Sequence, residues 1–287
     1  MPMTIGQICA VTKLRIGVAI ALSALAGLAM TPGASVSGWK VGALVLSILM
    51  ASASAGAFNQ YVERHHDRLM PRTRNRLFAS GALPESNLWL VGMALLLAAA
   101  VTLALFVLGA ATALHVFLGA FTYGVVYTVW LKRRTSLNIV IGGLAGSFAV
   151  LAGAATVDPW PGTVPMVFAV VLFLWTPPHF WSLAMAMREE YAAAGVPMLP
   201  VVMGDQKAAW IILAHTAALV AMSLVPAAYG MNGFYLACAA AGGACFLWCS
   251  WRLVRDPSLA NAKANFRASL LQLSLLLLGA YSAFWFA

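Results

Sequence analysis

Seven long apolar stretches dominate the chain: Leu14–Thr31, Val41–Ala57, Leu88–Leu108, Leu114–Leu131, Val164–Met187, Ala208–Ala228 and Leu270–Ala287. A bilayer core of about 30 Å is crossed by about 20 apolar residues in a helix. Backbone polar groups in lipid must be satisfied inside the protein, so only helices and closed barrels cross it. Barrel strands alternate in polarity; these stretches do not. Only 9% of the 287 residues are charged and 62% are hydrophobic, against roughly 25% charged in a soluble domain. The expectation is an all-α polytopic membrane protein, one domain over residues 1–287, with nine transmembrane helices around a central cavity.

The nine spans fall at about 14–32, 39–61, 88–109, 111–131, 137–156, 163–186, 208–228, 232–251 and 266–287. Sixteen of the 17 Lys and Arg, all except Lys40, fall on one side: in the connections at about 62–87, 132–136, 187–207 and 252–265, in the N-terminal segment, or, for Arg15 and Arg267, in the span ends that adjoin them. The positive-inside rule makes that side cytoplasmic. The N-terminus is then cytoplasmic and the C-terminus periplasmic, in a bacterial inner membrane. The net charge of +9 is therefore accounted for by topology, and no nucleic-acid partner is implied. Cys9, Cys238, Cys245 and Cys249 lack metal-like spacing and read as small hydrophobes.

Two constellations at the cytoplasmic boundary carry chemistry. In the first, Asn59, Glu63 and Asp67 are spaced i, i+4, i+8, one polar stripe on a helix. Amide and carboxylate oxygens suit Mg²⁺, which commonly shares its ligands with substrate phosphates. Arg68, Arg72, Arg74 and Arg76 follow, and guanidinium forks match phosphate geometry. In the second, Arg188-Glu189-Glu190-Tyr191 closes the sixth span. Two carboxylates at the depth of Glu63 and Asp67 are costly together unless a cation joins them. Metal candidates are thus Asn59, Glu63, Asp67, Glu189 and Glu190. Lys132, Arg133 and Arg134 end the fourth span; Lys132 is the expected diphosphate contact. Tyr127 is placed to stabilise a cation and Asn138 to orient phosphate or metal water, although positive-inside anchoring explains part of this cluster.

Pro177-Pro178 is expected to interrupt the sixth span, because proline removes an i→i−4 bond, and to turn His179 toward a cavity. His179 then reads as a ligand contact or as a packed histidine. Trp175, Phe180 and Trp181 stack on a flat acceptor or form an interfacial aromatic belt. Gly142, Gly143, Gly146 and Gly153 allow close helix approach or leave open space between helices.

Asn59–Arg76 resembles the first acidic motif of the UbiA-type intramembrane prenyltransferases. More narrowly, the chain is similar to the protohaem IX farnesyltransferase (haem O synthase) branch. The similarity continues in Tyr127–Thr135, Asn138–Gly143, Trp175-Thr-Pro-Pro-His-Phe-Trp181, Glu190-Tyr191, Gly195–Val202 and Ala262–Ser269. Glu63 and Glu190 stand where such motifs commonly carry Asp, and Leu77 where a proline is usual. The resemblance implies Mg²⁺-dependent transfer of farnesyl from farnesyl diphosphate to a vinyl group of haem B, in an all-helical ring. Asn59, Glu63, Asp67, Lys132, Glu190 and Tyr127 would be catalytic. Arg68, Arg72, Arg76, Lys132, Arg133 and Asn138 would hold the diphosphate, and His179, Trp175, Trp181 and Arg188 the acceptor. Haem A synthase or terminal-oxidase assembly factors are the implied protein partners. The alternatives are a related prenyltransferase with another aromatic or tetrapyrrole acceptor, and a non-catalytic haem-binding or transport protein.

Overall fold

A computed structural model describes residues 4–33 and 35–284. The chain is all-helical. The short α1 (Ile5–Val11) precedes α2 (Leu14–Ala29), α3 (Gly38–Asp67), α4 (Asn87–Leu108) and α5 (Ala110–Phe121), and α5 runs on into a π-helical segment, Thr122–Leu131. Then come α6 (Asn138–Gly142), α7 (Leu144–Ala155), α8 (Thr163–Ala186), two short helices α9 (Arg188–Ala193) and α10 (Leu199–Met203), α11 (Asp205–Ala228), α12 (Gly233–Arg255) and α13 (Leu259–Tyr281). Among the described residues, eight helical runs are long and apolar enough to cross a membrane. The pair α1–α2, bent by 60° at its break, brings the number to nine. The protein is a multi-span membrane protein.

Several helices run further than the apolar stretches. α3 continues to Asp67 rather than ending near 61, α11 begins at Asp205, α12 reaches Arg255 and α13 begins at Leu259. The expected loops at 62–87 and 252–265 shrink to 68–86 and 256–258. Polar residues extend a helix beyond the apolar region because its backbone bonds cost nothing extra to continue, and hydropathy does not see them. Residues 285–287 of the ninth expected span lie outside the described residues.

Two subsets of helices make the bundle. In the first, α2 packs on α3 and α7, α3 on α4, α4 on α5, and α5 on α7; in the second, α8, α11, α12 and α13 pack together. Buried polar groups lace the second subset. The Asn265 amide donates to Ser182 Oγ at 2.9 Å, Ser250 Oγ donates to Asn265 Oδ1 at 2.9 Å, and Thr216 shares a 3.1 Å bond with Ser250. Such bonds join helices where the hydrophobic effect offers no drive. α7 against α8 joins the subsets on one side, and α13 against α2 on the other, where the Tyr281 hydroxyl donates to the Leu22 carbonyl at 2.6 Å.

The helices enclose a cavity of about 1500 Å³, larger than the roughly 300–1,000 Å³ of a site for one drug-sized ligand. It opens at the end where α3 and the π segment terminate. Toward the other end α2 and α7 close together. A Cβ on Gly153 would fall on the Ala24 carbonyl, and one on Gly27 on the Val150 carbonyl. These two glycines permit backbone contact, whereas Gly146 lines the cavity with open space where a Cβ would stand. Gly153→Val should cost about 3 kcal/mol by overpacking, read as a lower unfolding temperature in detergent. Gly146→Ala should leave that temperature unchanged.

Candidate active site

The acidic stripe is one face of α3. Asn59, Glu63 and Asp67 are all buried, Glu63 at 1% exposure, and all line the cavity mouth. An ionised carboxylate so removed from water needs a partner. Glu63 Oε2 accepts from Lys132 Nζ, and Arg133 stands 3.6 Å from Oε1. Asp67 Oδ2 accepts from Arg76 at 2.8 Å. Glu63 Oε1 nevertheless has no hydrogen bond. The Asn59 amide is engaged at both its oxygen and its nitrogen. Its Oδ1 accepts from Lys13 Nζ at 2.6 Å, and its Nδ2 donates to Thr128 Oγ1 at 2.9 Å.

The π segment positions the opposite wall. Its wider turn carries Thr128 Oγ1 onto the Tyr123 carbonyl at 2.8 Å, and Lys132 N onto the Tyr127 carbonyl at 2.9 Å, five residues back. π-helical turns are rare and frequently mark functional sites. Tyr123 and Tyr127 stack at 5.7 Å and both line the cavity. The Tyr127 ring fits because residue 142 is glycine; a Cβ there would approach the ring to 2.9 Å. Gly143 meets Thr176 in the same way, at 3.0 Å.

Five basic side chains line the chamber, Lys13, Arg15, Arg72, Arg76 and Lys132, against two carboxylates, Glu63 and Asp67. The surplus of positive charge at the mouth suits a polyanion, while apolar side chains such as Ile20, Ile48, Val116 and Ala149 line the rest. Tyr191 also lines the mouth, and its burial raises the phenol above the ordinary value, with Arg72 beside it opposing the shift.

Several expected residues sit elsewhere. Arg68 donates to the Ala79 carbonyl at 2.7 Å and lies 3.8 Å from Glu85. Glu85, whose carboxyl the hydrogen bond from Arg64 holds below the usual range, gathers the end of α3 on the outer surface. Arg133, by contrast, stays at the site, 3.6 Å from Glu63 and 2.6 Å from His66. Asn138 is buried and donates to the carbonyls of Lys132 and Thr135 at 3.2 and 2.6 Å. It therefore braces the turn after Lys132 and does not line the chamber. Arg188 is exposed and pairs with Asp205 at 3.0 Å.

The acids of the second motif are not gathered with those of the first. Glu189 is exposed; Glu190 is half-buried, with Oε2 buried and unbonded. Among the described residues no three His, Cys, Asp or Glu side chains form a metal-holding group. Glu63 and Asp67 are paired instead with Lys132, Arg133 and Arg76. Only Tyr191, next to Glu190, reaches the shared chamber.

The aromatic motif also differs. α8 runs unbroken through Pro177 and Pro178. Trp175, His179 and Trp181 are buried in helix packing and do not line the chamber. His179 lies between Trp175 and Phe266, at 4.2 and 4.6 Å between ring centres, and bonds Ser269 Oγ at 2.7 Å. Trp175 Nε1 donates to the Ser269 carbonyl at 2.9 Å, and Trp181 meets His215 edge-on. Of the expected stacking residues only Phe180 reaches the chamber, alongside Thr176 and Leu183. Residues that sequence reasoning missed are Lys13, Gln60, Tyr123 and His66. Tyr123 had a signal, one turn before Tyr127; Lys13 read only as an anchor ahead of the first span.

Residues 20–283 match the UbiA prenyltransferase family. The chain belongs to it. Among curated relatives of this UbiA-family chain, protoheme IX farnesyltransferase 2 of Paramagnetospirillum magneticum is 57% identical over 270 residues, 94% of either chain. Protoheme IX farnesyltransferase 1 of the same organism is 46% identical over 98% of this chain and 99% of that one. Among solved structures, a digeranylgeranylglyceryl phosphate synthase superposes with TM-score 0.81 at 15% identity, covering 97% of each chain. A UbiA homologue from Archaeoglobus fulgidus bound to GPP and Mg²⁺ gives 0.70 at 14% identity, covering 96% of this chain and 99% of that one. These structural likenesses establish the fold.

Asn138→Ala removes two buried hydrogen bonds and should cost about 1–2 kcal/mol. Lys132 loses its brace, so prenyl transfer should fall further than unfolding accounts for, in a turnover assay run well below the unfolding temperature.

Proposed function

We propose that this prenyltransferase transfers the farnesyl group of farnesyl diphosphate to a vinyl group of haem B, giving haem O for terminal-oxidase cofactor synthesis. The observation that carries the reading is the chamber's division, with buried carboxylates and surplus cations at its mouth and apolar walls beyond. The names of the relatives, at up to 57% identity over most of the chain, support the donor and acceptor.

Arg72, Arg76 and Lys132 hold the diphosphate by charge-assisted hydrogen bonds. The unbonded Glu63 Oε1, with the Asp67 carboxylate and the Asn59 amide oxygen on the same α3 face, offers oxygen donors of the kind a divalent cation takes; Glu190 stands apart from them. We assign Mg²⁺ to Glu63, Asp67 and Asn59; when bound, it would supply further neutralisation of the leaving group. Cleavage of the bond between farnesyl C1 and the diphosphate oxygen leaves an allylic cation. The stacked rings of Tyr123 and Tyr127 face it, and the bundle keeps water away. The vinyl group attacks C1; once the allylic cation is consumed, water adds to the new cation on the acceptor and releases a proton to solvent, giving a hydroxyethylfarnesyl substituent. Phe180, Thr176 and Leu183 are the α8 residues placed to meet the acceptor.

The basic end of the bundle faces the cytoplasm of a bacterial inner membrane by the positive-inside rule, with the N-terminus inside and the C-terminus periplasmic. The product passes to haem A synthase or terminal-oxidase assembly factors.

Mass analysis of haem from cells with and without the chain should show a farnesyl-sized gain only with it. Asp67→Asn should lower that product by at least about a hundredfold while the protein stays in the membrane. Chelating the divalent ion should halt diphosphate release, and adding Mg²⁺ back should restore it; release that continues in excess chelator would overturn the metal assignment.

A further inference from the structure

Lys13 sits where simple membrane anchoring does not explain it. It occupies the break between α1 and α2, and it is the only described non-glycine residue with a positive φ, at 51°. Such backbone is costly for a residue with a Cβ and persists where its surroundings enforce it. Here α3 enforces it. Gly56 lets the break press close, since a Cβ there would stand 3.0 Å from the Thr12 carbonyl oxygen. Gln60 Nε2 donates to the carbonyls of Ala10 and Val11 at 2.7 and 3.1 Å. Held this way, the lysine side chain enters the chamber.

Its ammonium donates to Asn59 Oδ1 at 2.6 Å and to the Tyr123 hydroxyl at 2.9 Å. Both partners are neutral. Lys132 and Arg133 already occupy Glu63, Arg76 occupies Asp67, and among the described residues no carboxylate lies within ion-pair distance of Lys13. An enclosed ammonium without counter-charge is costly, and Arg72, Arg76 and Lys132 line the same mouth. That field favours a multiply charged anion over a single carboxylate.

We propose that Lys13 binds the diphosphate of the donor substrate, exchanging Asn59 Oδ1 for a phosphate oxygen and so freeing the Asn59 amide oxygen. Lys13 is then a further substrate-contacting residue, contributed by the first span across the chamber from Lys132. This inference rests on the prenyl-transfer reading above.

The test uses the full chain in detergent, with inorganic diphosphate as probe, by calorimetry with and without Mg²⁺. Lys13→Gln should weaken diphosphate binding about tenfold in both conditions, the loss of one charge-assisted hydrogen bond. It should raise KM for farnesyl diphosphate and leave KM for haem unchanged. Lys13→Arg, keeping the charge, should recover most of the affinity and shows that the position tolerates change without unfolding. Lys263→Gln, a distant exposed cation on α13, should match wild type. Diphosphate binding by Lys13→Gln equal to wild type would overturn the proposal and leave the prenyl-transfer reading standing. A rise confined to the haem KM would overturn it as well, assigning Lys13 to the acceptor. Wild type that binds no diphosphate would overturn both.

Discussion

Glu63 and Asp67 sit at the end of an apolar helix with almost no access to water, and cations drawn from other parts of the chain meet them there. Lys132 and Arg133 come from the far side of the π segment, and Arg76 from the loop after α3. Leaving either charge unpaired would cost several kcal/mol, so these pairs set where the loop and the π segment finish. Smaller features serve the same arrangement. Asn138 braces the turn behind Lys132, and the absent side chain at Gly142 makes room for Tyr127. The mouth of the chamber is thus a set of mutually dependent placements.

The chamber's shape comes from a contrast between its ends. At the closed end α2 and α7 meet backbone to backbone through Gly27 and Gly153, and small residues such as Ala21, Ala24 and Ala152 fill the surroundings. The other end of the chamber is lined by charged and aromatic side chains, Lys13, Glu63, Asp67, Tyr123, Tyr127 and Lys132 among them. Close packing of small residues is the principal attraction between helices in lipid. The buried hydrogen bonds among α8, α11, α12 and α13 secure the other half without entering the chamber.

The Trp175–Trp181 motif shows how a distinctive sequence can serve packing. Proline at 177 and 178 removes two backbone donors, yet α8 continues. The neighbouring helices hold it, and Thr176 and Ser182 hydroxyls donate to the carbonyls of Leu172 and Pro178. His179 is consumed by Ser269 and two flanking rings, which joins α8 to α13. One residue further on, Phe180 reaches the chamber.

The sequence by itself determined the solvent, the helices and the direction of charge. Continuous apolar runs allow only lipid-spanning helices, and spacing of four residues places Asn59, Glu63 and Asp67 on one face wherever α3 points. Those are local properties, set by hydropathy and the 3.6-residue period. Only the tertiary structure decided which charges pair, because pairing depends on helices far apart in the chain arriving at one depth. It gave Lys13 to Asn59, Lys132 to Glu63 and Arg76 to Asp67, sent Arg68 and Arg188 outward, and left Glu190 apart from the first acidic motif. A carboxylate's partner is chosen by proximity and desolvation, and neither is written in the spacing of residues along the chain.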